Sequence, residues 1–305
     1  MINKIPFYLV TGFLGSGKTT LIKHFIRSFA DSKKIAIIQN EFAEVNIDSR
    51  ELRQTGKPFE LLEINNGSVF CVCLLGSFVH SCADFIHQHE PDLIILEASG
   101  LSDPISIGQI ISSSPLRNLV WLAHTYTVID ALNFQKTIER VGRNLHQIRV
   151  ADTIVLNKCD LVDNKTVEIE DKLRAVNLFA KISETSFCNI ELDQPKRFHP
   201  PLWINGIEPS GSLGRPELCS VVIKSSKMIS IGYLELFIKK YSLIAYRIKG
   251  YVLTTTGTRA VQASFGQIGL QPVVNHYYPT EIVIIGPEID QKSVQQEFEN
   301  LCLQN

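Results

Sequence analysis

The chain has no excess of charge of either sign. Its 30 basic residues meet 31 acidic ones for a net charge of −1, which argues against nucleic acid as a partner. Arg140, Arg143 and Arg149 form a local basic run that reads as a solvated helix face. No apolar run approaches the ~18 residues that a membrane span needs. Cysteine is sparse: seven residues, at 71, 73, 82, 159, 188, 219 and 302, are too few and too scattered for a disulfide framework, as befits a reducing compartment. Met1-Ile2-Asn3-Lys4 leads straight into an apolar stretch and leaves no room for a signal peptide, so a cytoplasmic protein is expected. Internal repeats and low-complexity tracts are also missing. What remains is ordinary globular composition, 45% hydrophobic, and 305 residues suggest two domains at roughly 150 each.

The most informative segment is Gly12-Phe13-Leu14-Gly15-Ser16-Gly17-Lys18-Thr19, which fits the phosphate-binding P-loop at every fixed position. Phe7-Tyr8-Leu9-Val10 before it reads as a buried strand, and Thr20 to Ile26 after it carries apolar residues at helical spacing. The glycines therefore fall in a strand-to-helix loop whose backbone N–H groups converge on phosphate oxygens. Gly12, Gly15, Ser16, Gly17, Lys18, Thr19 and Thr20 are the expected nucleotide contacts, with Lys18 reaching the β and γ oxygens and Thr19 ligating Mg²⁺.

A second loop speaks to the base. Asp152 to Leu156 reads as a strand, and Asn157-Lys158-Cys159-Asp160 follows at its C-terminal end, where open α/β sheets place ligands. It resembles the N-K-x-D element of GTPases. A carboxylate only accepts, so Asp160 can take guanine N1–H and N2–H together, a pair that adenine lacks on that edge. A small-molecule kinase is disfavoured on the same ground. Pro91 to Glu97 is a turn followed by an apolar strand that ends in a carboxylate, the place of an acid serving Mg²⁺. Lys18, Thr19 and Glu97 are thus the expected catalytic set. Another buried strand, Lys34 to Ile38, leads into Gln39-Asn40-Glu41-Phe42-Ala43-Glu44, where Glu41 and Glu44 read equally well as groups that approach a metal or as solvated loop residues.

Strands near 7–10, 34–38, 93–96, 126–130 and 152–156 alternate with helix signals, which implies an α/β P-loop NTPase domain with a mainly parallel sheet over 1–188. Turn and breaker residues crowd 189–217, a linker. Strands at 219–223, 246–253, 259–264 and 281–285, with helices at 231–238 and from about 291, make residues 218–305 a smaller C-terminal α+β domain.

Together these residues resemble the CobW family of P-loop GTPases (CobW/HypB/UreG-like metallochaperones), cytoplasmic proteins implicated in handling and delivering metal ions. The likeness rests on the P-loop, Asn40-Glu41-Phe42, Glu63 to Gly67, Glu97 to Pro104, Asn157 to Asp160, and a C-terminal Tyr246 to Gly250 followed by Ile284-Ile285-Gly286. It implies that Glu97 serves Mg²⁺ and Gly100 senses the γ-phosphate. It also implies slow GTP hydrolysis, a client metalloprotein as partner, and room for a homodimer. One departure stands out. The family follows Asn-Gly with a Cys-x-Cys-Cys metal motif, whereas this chain reads Asn66-Gly67-Ser68-Val69-Phe70-Cys71-Val72-Cys73, so Ser68 and Phe70 replace two thiols and Cys73 is added. In an extended segment residues two apart point the same way, so Cys71 and Cys73 can share one Zn²⁺ or Co²⁺, with Glu41, Glu44 or a partner's groups completing the shell. Alternatively, both pack as small hydrophobes. The leading expectation is a GTP-hydrolysing metallochaperone. The alternative is a GTP-dependent regulatory or activating module for a metalloenzyme or corrinoid protein that carries no metal itself.

Overall fold

The computed structural model describes residues 4–40, 52–53, 55–64, 72–98, 104–136, 142–162, 166–194, 218–264, 267–274, 277–287 and 289–303. The chain divides into two compact units, Met1–Lys196 and Arg197–Asn305.

The first unit is a seven-stranded parallel sheet. In chain order it runs β1 (Ile5–Gly12), α1 (Lys18–Phe29), β2 (Ile35–Asn40), β3 (Glu60–Ile64), α2 (Val72–His89), β4 (Leu93–Glu97), α3 (Pro104–Ser112), α4 (Leu116–Leu119) and β5 (Val120–Asp130). Then come α5 (Gly142–Val150), β6 (Thr153–Asn157), a 3₁₀ turn (Cys159–Leu161), α6 (Thr166–Val176) and β7 (Lys181–Glu184). The strand order is β3-β2-β4-β1-β5-β6-β7, every pairing is parallel, and all C-terminal strand ends therefore share one edge. Both faces are covered, which explains why the strands read as unbroken apolar runs. Phe7 and Leu9 of β1 pack towards α2 and α3, while Tyr8 and Val10 pack with Leu21, Ile22, Phe25 and Ile26 of α1. Cys82 is buried among Phe78, Phe85 and Ile86, the packing role that its helical spacing predicts.

β3 and β7 are absent from the sequence reading. Both are edge strands, and β7 has only four residues with exposed ends, so neither carries the apolar run of a central strand. β5 also begins at Val120, six residues before the expected start. Residues 189–194, expected to open the linker, instead lie against the first unit. His24 Nε2 donates to the Ile190 carbonyl at 2.6 Å, Tyr8 OH donates to the Asp193 carbonyl at 3.1 Å, and Asp193 N donates to Tyr126 OH at 2.9 Å. Ile190 and Leu192 supply apolar contacts that the breaker-rich composition masks.

The second unit runs β8 (Leu218–Ser225), α7 (Ile231–Tyr241), β9 (Arg247–Thr254), β10 (Gly257–Ser264), β11 (Gln267–Pro272), β12 (Thr280–Pro287) and α8 (Gln291–Cys302). Its antiparallel sheet has the order β11-β10-β9-β12-β8, so β12 lies between β8 and β9 and opposes both, a split β-α-β. α7 and α8 cover one face, burying Phe237, Phe298, Ile248, Ile282 and Ile284. β11, a further strand not expected from sequence, is interrupted by Gly269 and ends on Pro272. Gly250 sits in the central strand at φ 151°, where a Cβ would overlap the Glu281 carbonyl oxygen. Gly250→Ala is therefore expected to destabilise this unit by about 3 kcal/mol through strain and overpacking. An unchanged urea-denaturation midpoint would contradict this close strand approach.

Candidate nucleotide site

The phosphate loop starts where β1 ends. Gly12 closes the strand, Ser16 N donates to Phe13 O at 3.2 Å, and α1 opens at Lys18. Gly17 occupies the N-cap at φ 111°, and a Cβ there would lie 2.5 Å from Asn157 Nδ2. A side chain at this position would separate the two loops that the site needs together. The first turn of α1, including Lys18, Thr19 and Thr20, has no acidic residue. The positive dipole end of the helix thus favours an anion. Lys18 is buried, and its Nζ arches back to Phe13 O at 3.3 Å. Ser16 Oγ is buried with no hydrogen-bond partner among the described residues. A cradle with an orphaned hydroxyl, a buried ammonium and a helix N-terminus fits phosphate oxygens.

Beside the loop, Thr19 Oγ1 donates to Glu97 Oε1 at 3.2 Å, and Gln39 Nε2 donates to Glu97 Oε2 at 2.8 Å. β2 and β4 are adjacent, with Gln39 in register with Glu97, so the amide fixes the carboxylate from the side. The 3.2 Å between Thr19 and Glu97 oxygens is close to the roughly 2.9 Å edge of an octahedron with 2.0–2.1 Å metal–oxygen bonds. This donor pair fits Mg²⁺.

The second loop is joined to the first. Asn157 Nδ2 donates to Ser16 O at 2.9 Å, and Asn157 Oδ1 accepts from Cys188 N at 3.0 Å. Cys188 Sγ in turn donates to Gly17 O at 3.4 Å; burial pushes this thiol up to about 12, so it stays protonated and can donate. Lys158 takes φ 64° and caps the 3₁₀ turn, and its Nζ meets Asp130 Oδ2 at 2.7 Å. Burial raises the Asp130 carboxyl, but the bonds from Lys158 and Asn133 outweigh it and leave the group below its usual range. Asp160 stays exposed and accepts from Ser186 Oγ at 2.7 Å.

Asp130, Ser186 and Cys188 are site residues that the sequence reading missed. Asp130 had a signal, since it ends a recognised strand at the ligand edge. Ser186 and Cys188 had none, because the strand before them was not seen. Glu41, Glu44, Cys71 and Gly100 lie outside the described residues. Cys73 falls in the first turn of helix α2, which corrects the extended geometry expected around it.

A family model described as CobW/HypB/UreG, nucleotide-binding domain, matches residues 6–184. The chain belongs to this family. Among CobW/HypB/UreG relatives, the zinc chaperone CobW of Pseudomonas aeruginosa is 32% identical over 194 residues, covering 53% of this chain and 51% of that one. The zinc-regulated GTPase metalloprotein activator 1 of Saccharomyces cerevisiae is 28% identical over 223 residues, 62% of this chain and 51% of that protein. The chain thus spans about half the length of the curated relatives it matches. The crystal structure of the Zn(II)-bound YjiA GTPase from E. coli superposes with a TM-score of 0.65 over 98% of this chain and 99% of that one. At 19% identity, that likeness establishes the fold of both units. Among the described residues no helix is long and apolar enough to cross a membrane.

Proposed function

We propose that this chain binds GTP with Mg²⁺, hydrolyses it, and uses the cycle to carry Zn²⁺ or Co²⁺ to a client metalloprotein. The Asn157 side chain carries the nucleotide part of this reading, because it ties the base loop to Ser16 of the phosphate loop and to Cys188 at once. Base and triphosphate can then be read by one connected structure. Lys18 faces the β and γ oxygens and stabilises their charge as water attacks the γ-phosphorus. The new bond is to the water oxygen, the bond to the β–γ bridging oxygen breaks, and GDP and inorganic phosphate leave. Thr19 and Glu97 hold Mg²⁺, which when bound supplies Lewis-acid stabilisation of the phosphates. Gly100 is assigned to γ-phosphate sensing on the family pattern.

The metal part rests on the relatives, which are named as zinc chaperones and a zinc-regulated GTPase activator. Cys71 and Cys73, with Glu41 and Glu44, are the proposed cargo ligands. A second reading, a regulatory module without its own metal, is favoured by Ser68 and Phe70 at two thiol positions and by the helical setting of Cys73.

Titration with Zn²⁺ or Co²⁺ separates the two. In the chaperone reading, metal binds with proton release near neutral pH, because thiols must ionise to coordinate, and cobalt develops thiolate charge-transfer absorption. GTP with Mg²⁺ changes the metal affinity, and metal changes GTP affinity by the same factor. The double variant Cys71→Ser, Cys73→Ser loses metal and keeps GTP. Unchanged metal stoichiometry and affinity in that variant would move the assignment to the regulatory module.

A further inference from the structure

Phe187 is out of place by every local rule. Its side chain is 79% exposed, the largest exposure among the large hydrophobic residues described. It also has φ 57°, and Cys188 follows at φ 53°. Two consecutive positive φ angles with Asn189 N closing onto Ser186 O at 3.4 Å resemble a primed turn, which asparagine and glycine fill without strain. A bulky residue with positive φ is a true outlier, and such outliers persist only where the surroundings over-determine them.

Here the surroundings are the nucleotide motif itself. Ser186 Oγ holds Asp160, Cys188 N holds Asn157, and Cys159 N donates to Thr185 O at 3.2 Å. Thr185 Oγ1 donates to Asn189 O at 3.0 Å and closes the turn from within. The turn is thus clamped on both sides by the base loop, and the residue at its tip directly follows the one bonded to Asp160. Asp160 reads hydrogen bonds in the plane of a base, which leaves the two π faces of that base to be covered by something apolar. An aromatic ring is the side chain that covers such a face best, because stacking tolerates the ring and excludes water.

We propose that Phe187 is a further binding contact that packs its ring on the face of the bound purine, and that the strained turn exists to present it. This rests on the guanine-nucleotide reading above, and deepens it. The test uses the full chain and GDP as the probe, in calorimetric titrations beside thermal melts without nucleotide. Phe187→Asn removes the ring and relieves the turn, so GDP affinity is expected to fall about 5- to 150-fold while the melting temperature holds or rises. A residue with only a structural role would move both in the same direction. Phe187→Trp should keep GDP affinity within about threefold, since the larger ring offers at least the same stacking face. Its added indole emission, measured against wild type, should be quenched by GDP and not by tripolyphosphate. Wild-type GDP affinity in Phe187→Asn overturns the proposal, as does an indole in Phe187→Trp that GDP leaves unquenched. If the wild-type protein binds no GDP, the guanine-nucleotide reading itself fails and this contact falls with it.

Discussion

Lys18→Ala is expected to lower kcat/KM for GTP hydrolysis by about 100- to 1000-fold, the loss seen when one preorganised charge-stabilising donor is removed from an active site. The reasoning starts from burial. Lys18 is 8% exposed, and its Nζ is held at 3.3 Å from Phe13 O, over the loop rather than out in solvent. In a site shielded from water, its charge acts on the phosphates far more strongly than a surface lysine would. Alanine keeps the helix, since it is the best helix former, so α1 and its N-terminal dipole remain. The fall should therefore appear without loss of fold. GDP affinity should fall as well, because in the proposed site the ammonium also meets the β-phosphate of the product. Phosphate release under single-turnover conditions, with GDP titration alongside, measures both. Wild-type turnover in Lys18→Ala would place the chemistry elsewhere.

Asp160→Asn should reverse a base preference. Asp160 is exposed, and one of its oxygens already accepts from Ser186 Oγ at 2.7 Å, which fixes the carboxylate's orientation. A carboxylate offers only acceptors to guanine N1–H and N2–H. Asparagine turns one of them into a donor, which then opposes a guanine N–H. Each hydrogen bond to a charged group is worth about 1.5–3 kcal/mol, so GTP affinity is expected to fall roughly 100-fold. Xanthosine triphosphate carries an oxygen at position 2, which the new amide can serve, and its affinity should rise. Competition among GTP, ATP and xanthosine triphosphate for wild type and variant gives the answer. Equal affinity of the wild type for ATP and GTP would remove the guanine assignment.

Much of the first unit was legible because its evidence is local. A P-loop is eight consecutive residues, and buried parallel strands announce themselves as apolar runs such as Leu93 to Leu96. Asn157 and Asp160 were found by the same logic, as polar residues at a strand's C-terminal end. Edge strands escaped notice: Lys181–Glu184 has exposed ends and no apolar run, so the turn that follows it, with Ser186 and Cys188, was invisible too. The helical setting of Cys73 is not legible in the sequence, because a short apolar stretch such as Val72 to Leu75 suits strand and helix alike.

The sequence alone determined the phosphate-loop motif, the Asn157–Asp160 loop and the central strands that place both at one edge. These depend on residue type and short spacing, which the chain states directly. Only the tertiary structure decided which side chains support them. Asn157 reaches Ser16 across 141 residues, Glu97 lies beside Thr19 across 78 and beside Gln39 across 58, and Lys158 finds Asp130 across 28. Such pairs follow from strand order and register. In a parallel sheet, long crossovers between strands bring residues far apart in the chain to one edge, and no local pattern encodes that meeting.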